Sequence, residues 1–501
     1  MIQFWLNDQL VQTNLPKGML VLDYLRQHRR LCGTKEGCKE GDCGACMVLV
    51  GKWWENQPRY EAMTSCLIPL GEMESKHLLT IEGLNLQGKL NLVQQAMAET
   101  GGAQCGFCTP GFIVSMMGYL FEIPYVGLSY QQWLRSIEGN LCRCTGYASI
   151  LRAGKKIIET LQKEESLKPF LAKSLPQGPK KEKPNLEEYL QKLVDLELLP
   201  PYLPKVSSQL KKMSPNLQNP PSSQASTPSI PIAGGTDLYV QQGEKLAHNN
   251  VNILRLRPDL ERIEQKDNHV VVGALCTFEN FARSQLIRSC LPAIEKWMFL
   301  IASLPIRRRA TIGGNIVNAS PIGDMTILLL ALEAEVCLEN GKEHRYLPLK
   351  NLFLGYKQLA KQENELLTHV RFPYPTKDTK IHFEKVSKRL TLDIASVNSA
   401  IRLKINNDQI VNASLSMGGV APIPLYLKRS SQFLQGKKLE PKTLQKLLEI
   451  ANDEISPISD IRGSASYKRL LARNLILAHF LELCNLGETL LEETRKGSFS
   501  S

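Results

Sequence analysis

The sequence predicts a multidomain α+β protein, and three observations carry that expectation. The chain has 501 residues, which at roughly 150 residues per domain implies about three folded units. Its first third combines strand-like alternation with cysteine- and glycine-rich loops and then helical runs. Its second half has short strands running into glycine turns, after a stretch rich in Pro, Lys and Ser. With 43% hydrophobic and 22% charged residues the composition is that of a globular chain, neither disordered nor fibrous throughout. No internal repeat is visible.

The first element follows from Met1-Ile2-Gln3-Phe4-Trp5-Leu6-Asn7-Asp8, which alternates and then turns as an edge of a sheet does. It lacks the basic start and apolar core of a secretory leader, so the cytoplasm is the expected compartment. Leu20 to Arg29 has the spacing of an amphipathic helix, and Met47-Val48-Leu49-Val50 reads as a strand. Between them lie Gly33, Gly37, Gly41 and Gly44 and a run of cysteines.

Thirteen cysteines in a reducing compartment argue for metal ligation before disulfides. Cys38, Cys43 and Cys46, followed at a distance by Cys66, have the C-x4-C-x2-C…C spacing of a plant-type [2Fe–2S] site. Chance gives that triplet on the order of 0.01 times in such a chain. Such a cluster needs four thiolates converging on two irons, and a glycine-rich loop can curl round it with its amides aimed at sulfur. Zinc is the competing occupant, although its sites favour paired C-x2-C knuckles. Cys32 lies outside the pattern and is expected to pack. Cys276, Cys290, Cys337 and Cys484 are solitary and expected to be small buried hydrophobes.

A second group begins at Cys105-Gly106-Phe107-Cys108, followed by Thr109-Pro110-Gly111 and an apolar run, which predicts a helix with Thr109 as its cap. Cys142-Arg143-Cys144 precedes another helical stretch, Ile150 to Gln162. Helix N-termini suit an anionic thiolate cluster. On spacing alone, a disulfide pair or a zinc site remains open here.

In this order, the plant-type loop, then C-G-x-C-T-P-G, then N-L-C-R-C-T-G-Y resembles the iron–sulfur portion of the molybdenum hydroxylases, the xanthine dehydrogenase and aldehyde oxidase family. The resemblance implies one [2Fe–2S] cluster on Cys38, Cys43, Cys46 and Cys66 and a second on Cys105, Cys108, Cys142 and Cys144. It also implies a β-grasp ferredoxin domain over residues 1–86 and a helical-bundle domain over 87–165.

Residues 166–229 hold Lys180-Lys181-Glu182-Lys183-Pro184 and Asn219-Pro220-Pro221-Ser222-Ser223. That composition predicts an exposed linker, with one short helix from Asn185 to Leu199. Order resumes at Ile230-Pro231-Ile232-Ala233-Gly234-Gly235-Thr236-Asp237-Leu238, a strand entering a turn whose amides can approach a pyrophosphate. It is not a G-x-G-x-x-G fingerprint, so a Rossmann fold is excluded. Arg307-Arg308-Arg309 introduces a second glycine segment, with Gly313 and Gly314 flanked by short hydroxyl and amide side chains and followed by Asp324.

These segments resemble the FAD domain of the same family, of the vanillyl-alcohol-oxidase type, over residues 230–376. Gly418-Gly419-Val420-Ala421-Pro422 and Ser459 through Tyr467 resemble its C-terminal α+β subdomain, over 377–490. The resemblance implies phosphate and ribityl contacts from Ile232, Ala233, Gly234, Gly235, Thr236, Asp237 and Leu238, and from Thr311, Ile312, Gly313, Gly314 and Asn315. It adds Ser320 and Asp324 as flavin contacts and Leu366 beside the ring. Lys388 and Asp393 fall at the rim, and Ile301 lies against the isoalloxazine where some members carry an aromatic residue.

The chain stops where full-length relatives continue into a molybdopterin domain, so the resemblance implies the separate small subunit of a bacterial-type xanthine dehydrogenase. Its partner would be a molybdopterin-binding large subunit, in a heterodimer pair with two of each. Electrons from purine hydroxylation are implied to pass through the second cluster, then the first, then FAD, and then to NAD+. An aldehyde- or other N-heterocycle-oxidising partner is the alternative, and a non-catalytic metal-binding scaffold a third reading of another class. The net charge of +12 is scattered and unaccompanied by a nucleic-acid module, so no nucleic acid is expected. The longest apolar runs, Gly111 to Phe121 and Ile327 to Leu332, fall short of the roughly eighteen residues that span a bilayer.

Overall fold

Alternation decides the first sheet. In β1 (Ile2–Leu6) Ile2, Phe4 and Leu6 point inward and are buried, and β2 (Gln9–Thr13) pairs with it antiparallel through a tight turn at Asn7. β3 (Met47–Trp54) and β4 (Gln57–Thr64) form a hairpin, and β5 (His77–Leu79) inserts between β1 and β3. The order is β2-β1-β5-β3-β4, with β1 and β5 parallel, the mixed sheet of a β-grasp domain. This computed structural model describes residues 1–54, 56–171, 185–213, 229–341, 343–438 and 440–484. The chain divides into two units, one of Met1–Leu256 with Ser303–Arg309 and one of Arg257–Ala302 with Ala310–Ser501.

The helical half of the first unit is built on α2 (Thr109–Val126), whose residues from Gly111 to Pro124 are all buried, as expected of a helix apolar on every side. α1 (Leu92–Glu99) starts with a reciprocal capping box between Asn91 and Gln94. α3 (Tyr130–Ser136) presents Trp133 to α4 (Ala148–Lys163), where Ile150, Ala153, Gly154, Ile157, Ile158 and Leu161 form the inward stripe. Gly154 is required there, because a Cβ would lie 2.2 Å from the indole of Trp133. The unit ends in β6 (Ile230–Ile232), α7 (Leu238–His248) and β7 (Val251–Ile253), with β6 and β7 parallel.

Composition misled the expectation of a linker. Within the described part of 166–229, α5 (Leu186–Asp195) and α6 (Leu203–Met213) are packed helices. Leu186, Tyr189, Leu190 and Leu193 repeat at helical spacing and join the core around α2, and the Tyr189 hydroxyl donates to the Leu120 carbonyl at 2.7 Å. The helix expected over Asn185 to Leu199 is α5; averaging over the Pro-, Lys- and Ser-rich flanks hid its burial and the whole of α6. Residues 172–184 and 214–228, which include both quoted Lys- and Pro-rich runs, lie outside the described residues. Two smaller corrections concern helix starts. Cys108, not Thr109, occupies the cap position of α2, and Leu20–Arg29 is one short α-turn, Val21–Asp23, continued as a π-turn, Tyr24–His28.

In the second unit, β8 (Ile263–Lys266), β9 (His269–Gly273), β10 (Glu335–Glu339), β11 (His344–Pro348) and β12 (Leu366–Pro373) form an antiparallel sheet in the order β11-β10-β12-β9-β8. Two helices, α8 (Ile312–Val317) and α9 (Asp324–Ala331), precede β10. A further antiparallel sheet, β13 (Thr379–Val386), β14 (Val397–Asn406), β15 (Gln409–Gly418) and β16 (Leu425–Tyr426), packs with α10 (Lys428–Leu434), α11 (Pro441–Glu454) and α12 (Ala465–Cys484). Their shared core runs from Val397 and Ile401 to Leu475 and Phe480. Among the described residues no helix is long and apolar enough to cross a membrane.

Candidate functional site

The first cysteine loop closes on its own sulfurs. Amides of Glu40 and Asp42 each donate to Cys38 Sγ at 3.3 Å, and the Cys38 amide donates to Cys43 Sγ at 3.4 Å. Gly41 and Gly44 have φ of +83° and +69°, which β-carbons disfavour, and a Cβ on Gly37 would lie 2.8 Å from Cys43 Sγ. Cys46 leads into β3 and Cys66 follows β4, both buried beneath this loop. The thiols meet as pairs, Cys38 with Cys43 and Cys46 with Cys66. The Cys43 hydrogen bond lowers Cys38 to about 5, and Cys66 likewise lowers Cys46 while its own thiol is pushed up by Cys46.

The second quartet repeats the arrangement at the ends of α2 and α4. Cys105 Sγ and Cys144 Sγ are 3.6 Å apart, and Cys108 pairs with Cys142. The Phe107 amide and then Cys144 lower the Cys105 thiol, whereas burial pushes Cys108 up to about 12. Burial would raise Cys142 as well, but the Thr145 hydroxyl, donating to its sulfur at 3.2 Å, and nearby amides bring it to about 7. Among the described residues no three His, Cys, Asp or Glu side chains are grouped tightly enough to hold a single metal ion. Two thiol pairs per quartet, with amides aimed at sulfur, suit a two-iron cluster that takes two thiolates on each iron.

The two quartets are joined by main chain. The Leu141 amide donates to the Cys43 carbonyl at 3.0 Å, so a residue of the first quartet is one hydrogen bond and one peptide from Cys142 of the second. Asn140 Nδ2 donates to the Gly44 carbonyl at 3.3 Å, and Ser115 Oγ donates to Asn140 Oδ1 at 2.8 Å. Lys35 Nζ donates to the Gly106 carbonyl at 3.2 Å, adding a charged tie between the loops.

The glycine segments differ in construction. In the first unit, Ile232 ends β6 in the core, Ala233, Gly234, Gly235, Thr236 and Asp237 form the turn, and Leu238 opens α7. Gly235 has φ +71°, and a Cβ there would sit 2.9 Å from the Tyr239 ring. In the second unit, Thr311 Oγ1 caps α8 by accepting from the Gly314 amide at 3.1 Å. The Gly313 amide donates to the Ala274 carbonyl at 2.8 Å, and a Cβ on Gly313 would collide with Ala274. Asn315 Oδ1 accepts from the amide and hydroxyl of Thr326, tying the end of that segment to α9. The first turn is thus built of small side chains, and the second is braced by hydroxyls and amides.

Four family profiles match the chain. A "2Fe-2S iron-sulfur cluster binding domain" covers residues 5–70, a "[2Fe-2S] binding domain" 80–155, an "FAD binding domain in molybdopterin dehydrogenase" 219–375, and a "CO dehydrogenase flavoprotein C-terminal domain" 382–483. The chain belongs to the molybdenum hydroxylase family. Its domains are those of the iron–sulfur and flavin part, two [2Fe–2S] domains and an FAD domain. Xanthine dehydrogenase 1 of Arabidopsis thaliana is 30% identical over 94% of this chain, and aldehyde oxidase 2 of Rattus norvegicus 27% over 96%. The chain spans 39% of the length of each. A solved chain of the reconstituted CO dehydrogenase from Oligotropha carboxidovorans aligns at 30% identity, over 50% of this chain and 87% of that one, with a TM-score of 0.47.

For a molybdenum hydroxylase the remaining candidates fall as follows. Asp324 begins α9 with both carboxylate oxygens engaged, Oδ2 by Lys385 Nζ and Oδ1 by Asn398 Nδ2, at 2.9 and 2.5 Å. Lys385 also donates to the Asp393 carbonyl at 2.8 Å, tying that loop to the end of β13. Lys388 instead donates to the Ile461 carbonyl at 2.8 Å. Ser320 Oγ accepts from the Ile322 amide, Ile301 is buried, and Leu366 opens β12 half-buried. Sequence reasoning missed Lys385 and Asn398. The available signal was alternation in β13, where Phe383 and Lys385 share the inward face and a buried lysine demands a partner. Gly418 and Gly419 serve packing, since a Cβ on either would meet Asn398 Oδ1 or the Ser396 carbonyl within 2.4 Å. Cys276, Cys290 and Cys337 are buried, while the Cys484 side chain lies outside the described residues.

Proposed function

We propose that this chain is the electron-transfer subunit of a xanthine dehydrogenase. Electrons arrive from a molybdopterin-bearing large subunit, enter at Cys105, Cys108, Cys142 and Cys144, continue to Cys38, Cys43, Cys46 and Cys66, and leave through FAD to NAD+. The [2Fe–2S] clusters supply one-electron exchange, and FAD converts single electrons into the pair that a nicotinamide needs. This chain's residues would hold the cofactors at fixed separation and keep thiolates available. The observation that supports the reading is the hydrogen bond from the Leu141 amide to the Cys43 carbonyl, which ties the loops of the two quartets together.

FAD would be held at its phosphates and ribityl chain by Ile232 through Leu238 and by Thr311 through Asn315. Ser320, Asp324, Ile301, Leu366 and Lys388 are the further proposed flavin contacts, with Lys385 added as the residue that engages Asp324. Two copies of each subunit in the cytoplasm complete the proposal. The likeness to aldehyde oxidase 2 favours a second reading, the same module serving an aldehyde or N-heterocycle hydroxylase. Activity of the purified chain tests the assignment. NADH should reduce an artificial dye through it, and xanthine should not be turned over. Xanthine oxidation by the chain alone, free of any partner, would overturn the reading, and dye reduction only by another donor would remove NAD+ from it.

A further inference from the structure

Arg307, Arg308 and Arg309 precede the second glycine segment, yet all three side chains are buried in the first unit, each against a different carboxylate. Arg307 pairs with Glu138 at 2.5 Å, Arg308 with Glu122, and Arg309 with Glu72 at 3.0 Å. The third pair differs from the others in what it also touches. Arg309 Nη2 donates at 2.8 Å to the carbonyl of Gly234, the first glycine of the β6–α7 turn. Glu72 lies six residues after Cys66, in the short helical turn Leu70–Met73, and it also faces Lys76 and Arg255, each at 3.3 Å. Burial alone would raise the Glu72 carboxyl, but Arg309, Lys76 and Arg255 hold it well below the usual range. The anchor therefore stays ionised.

A trans peptide is planar, so its carbonyl and the following N–H point in opposite directions. Fixing the Gly234 carbonyl toward Arg309 turns the Gly235 amide to the other side of the turn. Gly235, at φ +71°, has no Cβ beside that amide. We propose that Arg309, held by Glu72, is a positioning residue for the flavin, setting the peptide plane that presents the Gly235 amide to the pyrophosphate of FAD. The proposal rests on the reading that Ile232–Leu238 takes that pyrophosphate. It makes the short turn Leu70–Met73, which follows Cys66 in the chain, part of the support of the flavin turn.

The test uses the full chain with its clusters, stripped of flavin and titrated separately with FAD, ADP and riboflavin. Arg309→Gln should weaken FAD and ADP alike by roughly 10- to 100-fold, the loss expected for a hydrogen bond from a charged donor. Riboflavin, which has no phosphate, should bind unchanged, as should the visible circular dichroism of the clusters. Arg309→Lys should restore part of the loss. Arg307→Gln breaks an ion pair in the same segment without touching the turn, so it should lower the melting temperature and leave FAD affinity at wild type. If Arg309→Gln does not accumulate folded, Glu72→Gln carries the test, and wild-type FAD and ADP affinity in it overturns the proposal. Equal losses for riboflavin and FAD would also overturn it, as a general structural effect. Wild-type affinity in Arg309→Gln beside flavin loss in Gly235→Val removes the role of Arg309 and keeps the turn. Full flavin retention in Gly235→Val removes both.

Discussion

Gly111→Ala wedges the two cysteine domains apart at a single point. The new Cβ would lie 2.1 Å from the Gly44 carbonyl oxygen and 3.0 Å from its carbon, and backbone cannot swing away as a side-chain tip can. Relief requires a shift of about 1 Å between α2 and the first cysteine loop, and because the obstructing atom is backbone the cost lies in the upper part of the overpacking range, about 2–3 kcal/mol. Alanine gains up to about 1 kcal/mol over glycine within a helix, so the net loss is about 1–2 kcal/mol. At about 2–4 °C per kcal/mol for a unit of this size, the melting temperature should fall by about 2–8 °C. The shift should also stretch the Leu141–Cys43 and Asn140–Gly44 hydrogen bonds, now 3.0 and 3.3 Å. Rapid-freeze EPR after a reducing pulse should then show both cluster signals with slower equilibration between them. An unchanged or raised melting temperature would refute the reasoning, because only the helix-propensity gain would remain.

Cys43→Ser should remove one cluster signal and leave the other, lowering iron from about four to about two per chain; loss of both signals in a folded variant would contradict independent quartets. Gly235→Val should yield protein with both clusters and little flavin, read from the ratio of flavin to iron after gel filtration. His77 is buried, with Nε2 donating to the Asn7 carbonyl and Nδ1 accepting from the Tyr60 hydroxyl, both at 2.8 Å, and burial lowers it to about 4. The unfolded chain takes up this proton near pH 6.5 and the folded chain only near 4, so stability is full above 6.5 and is lost as pH falls between the two. His77→Gln should therefore abolish about 2 kcal/mol of the wild-type stability difference between pH 7 and pH 5, measured by denaturant titration at each pH.

The parts of this protein that were legible in sequence are those where chemistry dictates spacing. Four thiolates on two irons force a tight loop, so Cys38, Cys43 and Cys46 declare themselves through intervals and through Gly41 and Gly44. The helix α5 was legible over Asn185 to Leu199, but its burial, and α6 altogether, were not, since the stripe from Leu186 to Leu193 is embedded in a stretch whose average is polar. Lys385 and Asn398 lay hidden for another reason. They act through Asp324 rather than through a motif, and only the pairing of β13 with β14 brings them to it. Arg307 to Arg309 read as the preface to a glycine segment. The buried carboxylates that they meet, at positions 138, 122 and 72, are too distant in sequence for any local pattern to announce.

The proposed route of electron transfer is tested most directly by Cys144→Ser in the enzyme reconstituted with the proposed molybdopterin-bearing partner. Cys144 belongs to the quartet proposed as the point of entry, before the first quartet and FAD in the proposed order. The variant should lose xanthine-dependent reduction of NAD+ while NADH-to-dye activity stays largely in place, because that reaction needs only the flavin end. Normal xanthine-to-NAD+ turnover in Cys144→Ser, with the second cluster shown absent by EPR, would contradict the account.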